Sequence, residues 1–302
     1  MIRNIILFVL TLVGSTAMAQ SELWATGSAL PDGPCQLTLR PDGKFRFAGA
    51  LVEGELQLMT TSTYQEGVTQ FLTPKLVDSY LINYGLVYTL TTDKNSAGWV
   101  VPFSEDTYRF IVDIQSRTVR GELFLPWNEL LIAGSAFPGG SDKEEWKRDN
   151  MLPFLRDHED PYVFEWRGEL GIYDNVVEPG HFKLEGQMTW GPRELHPYRH
   201  DEDILESTQV RTGGDDTKWL VKTPGTYRIR VNLFTETIQA ELLSVLSPAQ
   251  HATTIQTINN SPATTNQYFD LQGTVHQHLT RGLNIVRQAD GTIRKVVVRY
   301  HQ

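Results

Sequence analysis

Four aromatic residues in the middle of the chain, Trp146, Trp190, Tyr198 and Trp219, are interspersed with the cations Lys183, Arg193 and Lys218. Flat rings with charged donors beside them suit carbohydrate capture. A ring face covers the C–H face of a pyranose while ammonium or guanidinium groups reach its hydroxyls. Trp190 precedes Gly191-Pro192, where a loop can hold a ring clear of the body. Trp219 follows Lys218 and the loop Gly213-Gly-Asp-Asp216, and Trp99, after Asn95-Ser-Ala-Gly98, is its counterpart in the first half. Trp146 sits in the charged stretch 142–149, whose neighbours resist burial. Trp166, by contrast, alternates within 162–166 and is expected in a core. The expected ligand contacts are thus Trp190, Trp219, Trp146, Tyr198, Arg193, Lys183, Lys218 and Trp99.

Two other chemistries compete for the same region. His196-Pro-Tyr-Arg-His200-Asp-Glu-Asp203 brings His196, His200, Asp201 and Asp203 into a short span, as a metal site would. Pro197 breaks the regular spacing that paired histidine ligands use, so a solvated loop without a metal is expected; calcium is the ion its carboxylates would favour. Glycoside hydrolysis needs two carboxylates facing one cleft, about 5 to 10 Å apart. Glu144-Glu145 and Glu159-Asp160 are adjacent on the chain and read as solvated loop charge. There is no G-x-S-x-G, H-E-x-x-H or phosphate-binding loop, and Cys35, expected in a turn, has no histidine near it in sequence. The residues therefore favour a non-catalytic binding protein needing no cofactor. The alternatives are a structural or adhesive surface protein that grips a protein partner, and a glycoside hydrolase whose carboxylate pair emerges only in the fold.

The elements that must position these side chains are strands. Helical periodicity is nearly absent, and short β-branched and aromatic runs alternate with Gly, Pro, Asn and Asp turns, so the chain reads as all-β. Residues 36–40 and 44–48 flank Pro41-Asp42-Gly43, a hairpin with its turn chemistry explicit. Thr107-Tyr-Arg-Phe-Ile-Val-Asp113 and Thr226-Tyr-Arg-Ile-Arg-Val-Asn232 are near copies of a strand with one face on a core. Leu23-Trp-Ala-Thr-Gly-Ser-Ala-Leu-Pro31 likewise matches Leu130-Leu-Ile-Ala-Gly-Ser-Ala-Phe-Pro138. A duplicated module follows: tandem immunoglobulin-like or carbohydrate-binding-module-like β-sandwiches over 20–125 and 126–246. A Ser/Thr/Pro/Ala-rich linker over 247–266 and a small β unit over 267–302 complete the chain.

In the second module, Gly134-Ser-Ala-Phe-Pro-Gly-Gly140, Val163-Phe-Glu-Trp-Arg-Gly168, His181-Phe-Lys-Leu184, Trp190-Gly-Pro192, Gly213-Gly214, Lys218-Trp219 and Gly225-Thr-Tyr227 occur in that order. Together they resemble the SusE/SusF family of outer-membrane starch-binding proteins of Bacteroidetes. The resemblance implies tandem sandwiches that bind glucan chains without cleaving them, alongside outer-membrane glycan-uptake machinery. Members of that family are usually lipoproteins, which this chain departs from. Its residues 1–19 carry Arg3, an apolar run and Ala17-Met18-Ala19, the pattern of a cleaved secretory leader, with no cysteine after the run to receive a lipid.

The tail offers another attachment. Tyr268-Phe-Asp-Leu-Gln-Gly273, Arg281-Gly-Leu-Asn-Ile-Val286 and Asp290-Gly-Thr-Ile-Arg-Lys-Val-Val-Val298 resemble the C-terminal sorting domains of type IX secretion. Residues 283–287 and 293–299 around Asp290-Gly291 should form a hairpin. The chain is therefore expected outside the cell or on the outer-membrane surface. Its 302 residues carry a formal charge of -9, which repels phosphate backbones and excludes nucleic acid as the natural partner.

Overall fold

The computed structural model describes residues 20–246 and, beyond them, four strands within 267–298. The leader over 1–19 and the linker over 247–266 lie outside the described residues. The described residues fall into two compact units, 20–246 and the four strands within 267–298.

The first ten strands are β1 (Trp24–Thr26), β2 (Cys35–Gln36), β3 (Thr38–Leu39), β4 (Phe45–Leu51), β5 (Gly54–Met59), β6 (Phe71–Pro74), β7 (Asn83–Thr91), β8 (Trp99–Val101), β9 (Glu105–Asp113) and β10 (Thr118–Leu123). One sheet runs β2-β1-β5-β6-β7, with β8 also on β5, and the other runs β10-β9-β4-β3. The next eleven are β11 (Leu131–Gly134), β12 (Leu152–Pro153), β13 (Leu155–Arg156), β14 (Val163–Leu170), β15 (His181–Glu185), β16 (Glu194–His196), β17 (Glu202–Asp203), β18 (Arg211–Thr212), β19 (Trp219–Leu220), β20 (Gly225–Asn232) and β21 (Thr237–Val245). Their sheets repeat the same order, β12-β11-β15-β16-β18 with β19 on β15, and β13-β14-β20-β21. The fold is all-β, and no α-helix occurs among the described residues.

Alternation builds each core. In β9 the buried side chains are Tyr108, Phe110 and Val112; in β20 they are Tyr227, Ile229 and Val231. They meet Phe45 and Phe47 on β4, or Phe164 and Trp166 on β14, at the same register positions. The hairpin at 41–43 forms as its residues demand, with Gly43 at φ +74° and its N–H donating to Arg40. Cys35 is a half-buried strand residue and not part of a turn, because it pairs with Ala25 of β1.

Trp99 and Trp219 also belong to these cores, which corrects their reading as ligand-facing rings. Both are fully buried. Each is the first residue of a strand, β8 docked on β5 and β19 docked on β15, and pairs with a core residue there, so the indoles turn inward. Trp219 stacks on Phe182, 5.4 Å between centroids, and donates its Nε1–H to Ser207 Oγ at 3.0 Å.

The two sandwiches meet through arginines of the first and the β20–β21 turn of the second. Arg40 donates to the Thr235 carbonyl at 2.6 Å and Arg109 to the Leu233 carbonyl at 2.9 Å. Arg46, forked on Asp42, also pairs with buried Glu236 at 3.0 Å. Removing the Glu236 charge leaves a largely buried guanidinium short of one partner. Glu236→Gln is expected to cost about 2 kcal/mol, read as a lower urea midpoint with an unchanged denaturant slope.

The C-terminal strands are β22 (Gln267–Phe269), β23 (Val275–His276), β24 (Gly282–Arg287) and β25 (Ile293–Val298), in the order β23-β22-β24-β25. β24 and β25 pair antiparallel from Gly282↔Val298 to Arg287↔Ile293, the hairpin expected there. Its Asp290-Gly291 turn lies outside the described residues.

Candidate functional site

Strand β15 sorts its side chains by alternation. Phe182 and Leu184 enter the core, and Lys183 and Glu185 stand on the opposite face. On β16, Leu195 faces inward while Glu194 and His196 join that opposite face. Lys183 Nζ lies 2.6 Å from Glu194 Oε1, 3.2 Å from Glu185 Oε1 and 3.3 Å from Asp216 Oδ1. Lys218 Nζ reaches the other oxygen of Asp216 at 3.2 Å and Glu178 at 3.4 Å.

Each lysine also lies against an indole. Lys183 Nζ is 5.2 Å from the ring centre of Trp190, and Lys218 Nζ is 5.4 Å from that of Trp146. Both distances fall in the range where an ammonium is attracted to an aromatic face. Trp190 is 45% exposed and Trp146 half-buried, so both present surface to a ligand. The result is a continuous chain, Trp190–Lys183–Asp216–Lys218–Trp146. The loop carrying Trp190 is braced from beneath: Gln187 donates to Glu185 Oε2 at 3.0 Å and to the Thr189 carbonyl at 3.1 Å.

The charges under the rings are tightly balanced. Burial pushes the Glu185 carboxyl up to about 7, against the pull of Lys183. At Glu194 burial acts the same way but is outweighed by the hydrogen bond and charge of Lys183 and by a hydrogen bond with Glu185, so its pKa falls. The two carboxyls, cross-strand partners on one lysine, are thus pushed in opposite directions. Burial would favour a neutral Lys183; its carboxylate partners prevail and hold it as an ammonium. His196 is fully buried, and burial lowers its pKa. Its Nδ1–H donates to the Thr217 carbonyl at 2.9 Å.

The duplication shows what is particular to this face. The registers Trp24↔Met59 and Leu131↔Glu185 set the two sandwiches side by side. Lys183, Glu185, Glu194, His196 and Asp216 then fall on the seats of Gln57, Met59, Phe71, Thr73 and Ser96. These five seats are neutral in the first sandwich and ionisable in the second. Backbone partners are kept, since Thr73 Oγ1 donates to the Ala97 carbonyl much as His196 does to that of Thr217. In the first sandwich the exposed ring over a lysine is Tyr64, 5.7 Å from Lys94 Nζ, which the sequence reading passed over.

Of the expected contacts, Trp190, Trp146, Lys183 and Lys218 come together. Tyr198 belongs to the junction between the sandwiches, where Arg46 lies 5.9 Å over its ring and burial pushes its phenol up to about 12. Arg193 lines the cleft at that junction, about 760 Å³, with Arg40, Arg46 and Arg109. Glu185, Glu194 and Asp216 escaped the sequence reading. Aligning the two copies strand by strand and asking where neutral becomes charged would have found them. The rival grouping of His196, His200, Asp201 and Asp203, set aside in favour of a solvated loop, does not form: His196 turns to Thr217, while His200 and Asp201 meet His181 instead.

No protein-family model matches the chain, and no curated protein matches it. Among solved structures the chain is similar to SusF from Bacteroides thetaiotaomicron, at 9% sequence identity and a TM-score of 0.34. That similarity covers 87% of this chain and 56% of the other, so the chain spans little more than half the length of that protein.

Proposed function

We propose that the protein is a non-catalytic glycan-binding protein that takes a polysaccharide, a starch-like glucan, across the outer face of the second sandwich. The observation that carries this reading is the pair of partly open indoles, Trp190 and Trp146, each against a lysine and linked through Asp216. Rings supply stacking surface, and the ammonium and carboxylate groups between them supply donors and acceptors for sugar hydroxyls. The ordered motifs shared with starch-binding outer-membrane proteins support the choice of glucan. The leader and the sorting-like tail support an exported protein held at the cell surface, delivering glycan to uptake machinery.

The carboxyl pair is the feature that a hydrolase reading would use. Hydrolysis needs room for a glycosidic bond, and often a water, between carboxyls about 5 to 10 Å apart. Here Glu185 and Glu194 are cross-strand partners that clasp the same Lys183 ammonium, and Glu185 is fully covered. That geometry favours support of the loop above over bond cleavage.

Affinity electrophoresis of the exported chain in gels cast with starch, dextran or xylan tests the proposal. Starch should retard the protein, and Trp190→Ala should weaken the interaction roughly thirtyfold, the ~2 kcal/mol of a central aromatic anchor. Unretarded migration in every gel defeats glycan capture. Retardation unchanged by both Trp190→Ala and Trp146→Ala moves the ligand away from this face.

A further inference from the structure

The geometry points to a divalent transition-metal site of the zinc class at His181, His200 and Asp201, where the start of β15 meets the loop before β17. The His181 Nε2 lies 2.8 Å and the His200 Nε2 3.3 Å from the same oxygen, Oδ1 of Asp201. One ligand atom from each residue falls within 4.8 Å of the others. Zinc bonds of about 2.0–2.2 Å in a tetrahedron place neighbouring ligand atoms roughly 3.4 Å apart, so the three donors need little movement to surround one ion.

The hydrogen bonding of His181 fixes which nitrogen it offers. Its Nδ1 lies 3.1 Å from the carbonyls of both Glu178 and Pro179, which only accept, so Nδ1 carries the hydrogen. A neutral ring then points the Nε2 lone pair at a carboxylate oxygen, two acceptors face to face. A cation between them removes the conflict, and the carbonyl-bound Nδ1–H is the outer partner that metal-bound histidines use. Protons on His181 Nε2 and His200 Nε2 would also satisfy Asp201, whereas a metal ion takes a lone pair from all three residues at once. The rings of His181 and His200 are nearly parallel, 16° apart with centroids at 5.9 Å, so their edges reach the carboxylate side by side.

The donors are held by backbone contacts, not by one another alone. The His181 N–H donates to Glu178, and Ser135 Oγ bonds the same carbonyl. The Asp201 N–H donates to Lys218 at 3.0 Å, which ties the site to the lysine beneath Trp146. Two imidazoles and a carboxylate suit zinc, nickel or copper and not calcium, which prefers oxygen ligands throughout. Three protein ligands leave a fourth position for water, on the solvent side where His200 and Asp201 are exposed.

The test uses the untagged exported chain, stripped with chelator, titrated with zinc by calorimetry and with cobalt by visible absorption. One saturable equivalent is expected, with the intense visible bands of tetrahedral cobalt. Asp201→Asn and His200→Ala should each weaken zinc by more than about tenfold and abolish those bands, with circular dichroism unchanged because both side chains lie at the surface. Absence of saturable zinc binding overturns the site. So does binding that is unaltered in the Asp201→Asn/His200→Ala double variant, which would assign the metal to other histidines.

Discussion

Trp219→Ala is expected to lower stability by about 3–5 kcal/mol, the loss of a large buried aromatic, seen as a fall of roughly 10 °C in the thermal midpoint. Trp219 is fully buried, stacks on Phe182 and spends its only donor on Ser207, so truncation leaves a cavity and removes the N–H that the buried Ser207 hydroxyl accepts. Trp190→Ala should do the reverse. Its ring is 45% exposed on a loop, and losing it should cost under about 1 kcal/mol of stability while removing the glycan contact. Measuring both variants by melting and by affinity electrophoresis separates a core tryptophan from a binding one. A Trp219→Ala protein that melts like the parent would contradict the core assignment.

Glu185→Gln is expected to flatten the pH dependence of stability between about pH 4.5 and pH 7. Glu185 has an ordinary value of 4.5, raised by burial to about 7 in the fold. Below pH 4.5 folded and unfolded chains both hold the proton, and the acid costs nothing. As pH rises towards 7 the unfolded chain releases it while the fold keeps it, so stability declines; above 7 the loss is complete. The amide has no proton to lose. The variant should therefore match the parent near pH 4 and exceed it at pH 8 by an amount on the order of 2–3 kcal/mol. Carboxylates held below their usual range, such as Asp42 and Glu165, pull the other way at lower pH. They act equally in both proteins, so the difference curve reports Glu185 together with its coupled partner Glu194. A constant difference across the range would show that Glu185 is ionised throughout.

The all-β class was legible because alternation is local: β9 and β20 each declare an inner and an outer face within nine residues or fewer. The turn at 41–43 was legible for the same reason. Trp219 was misread because β19 is two residues long and pairs with partners remote in sequence, β15 and β17, which no local pattern shows. The aromatic and cationic parts of the candidate site stood out by residue type. Its carboxylates did not, since a lone Glu on a strand's outer face reads as solvated charge. Only the register Glu185↔Glu194 and the folding of Asp216 back over Lys183 make them a cluster. His181 was invisible as a partner of Asp201 because a loop and a strand intervene.

The seat of Glu185 is filled by Met59 in the first sandwich, at the same register and equally enclosed. A thioether satisfies the sheet at that point, so the scaffold itself asks for no acid there. The ionisable set on the second sandwich is thus separable from the architecture that carries it, a cargo of the sheet's outer surface and not one of its struts.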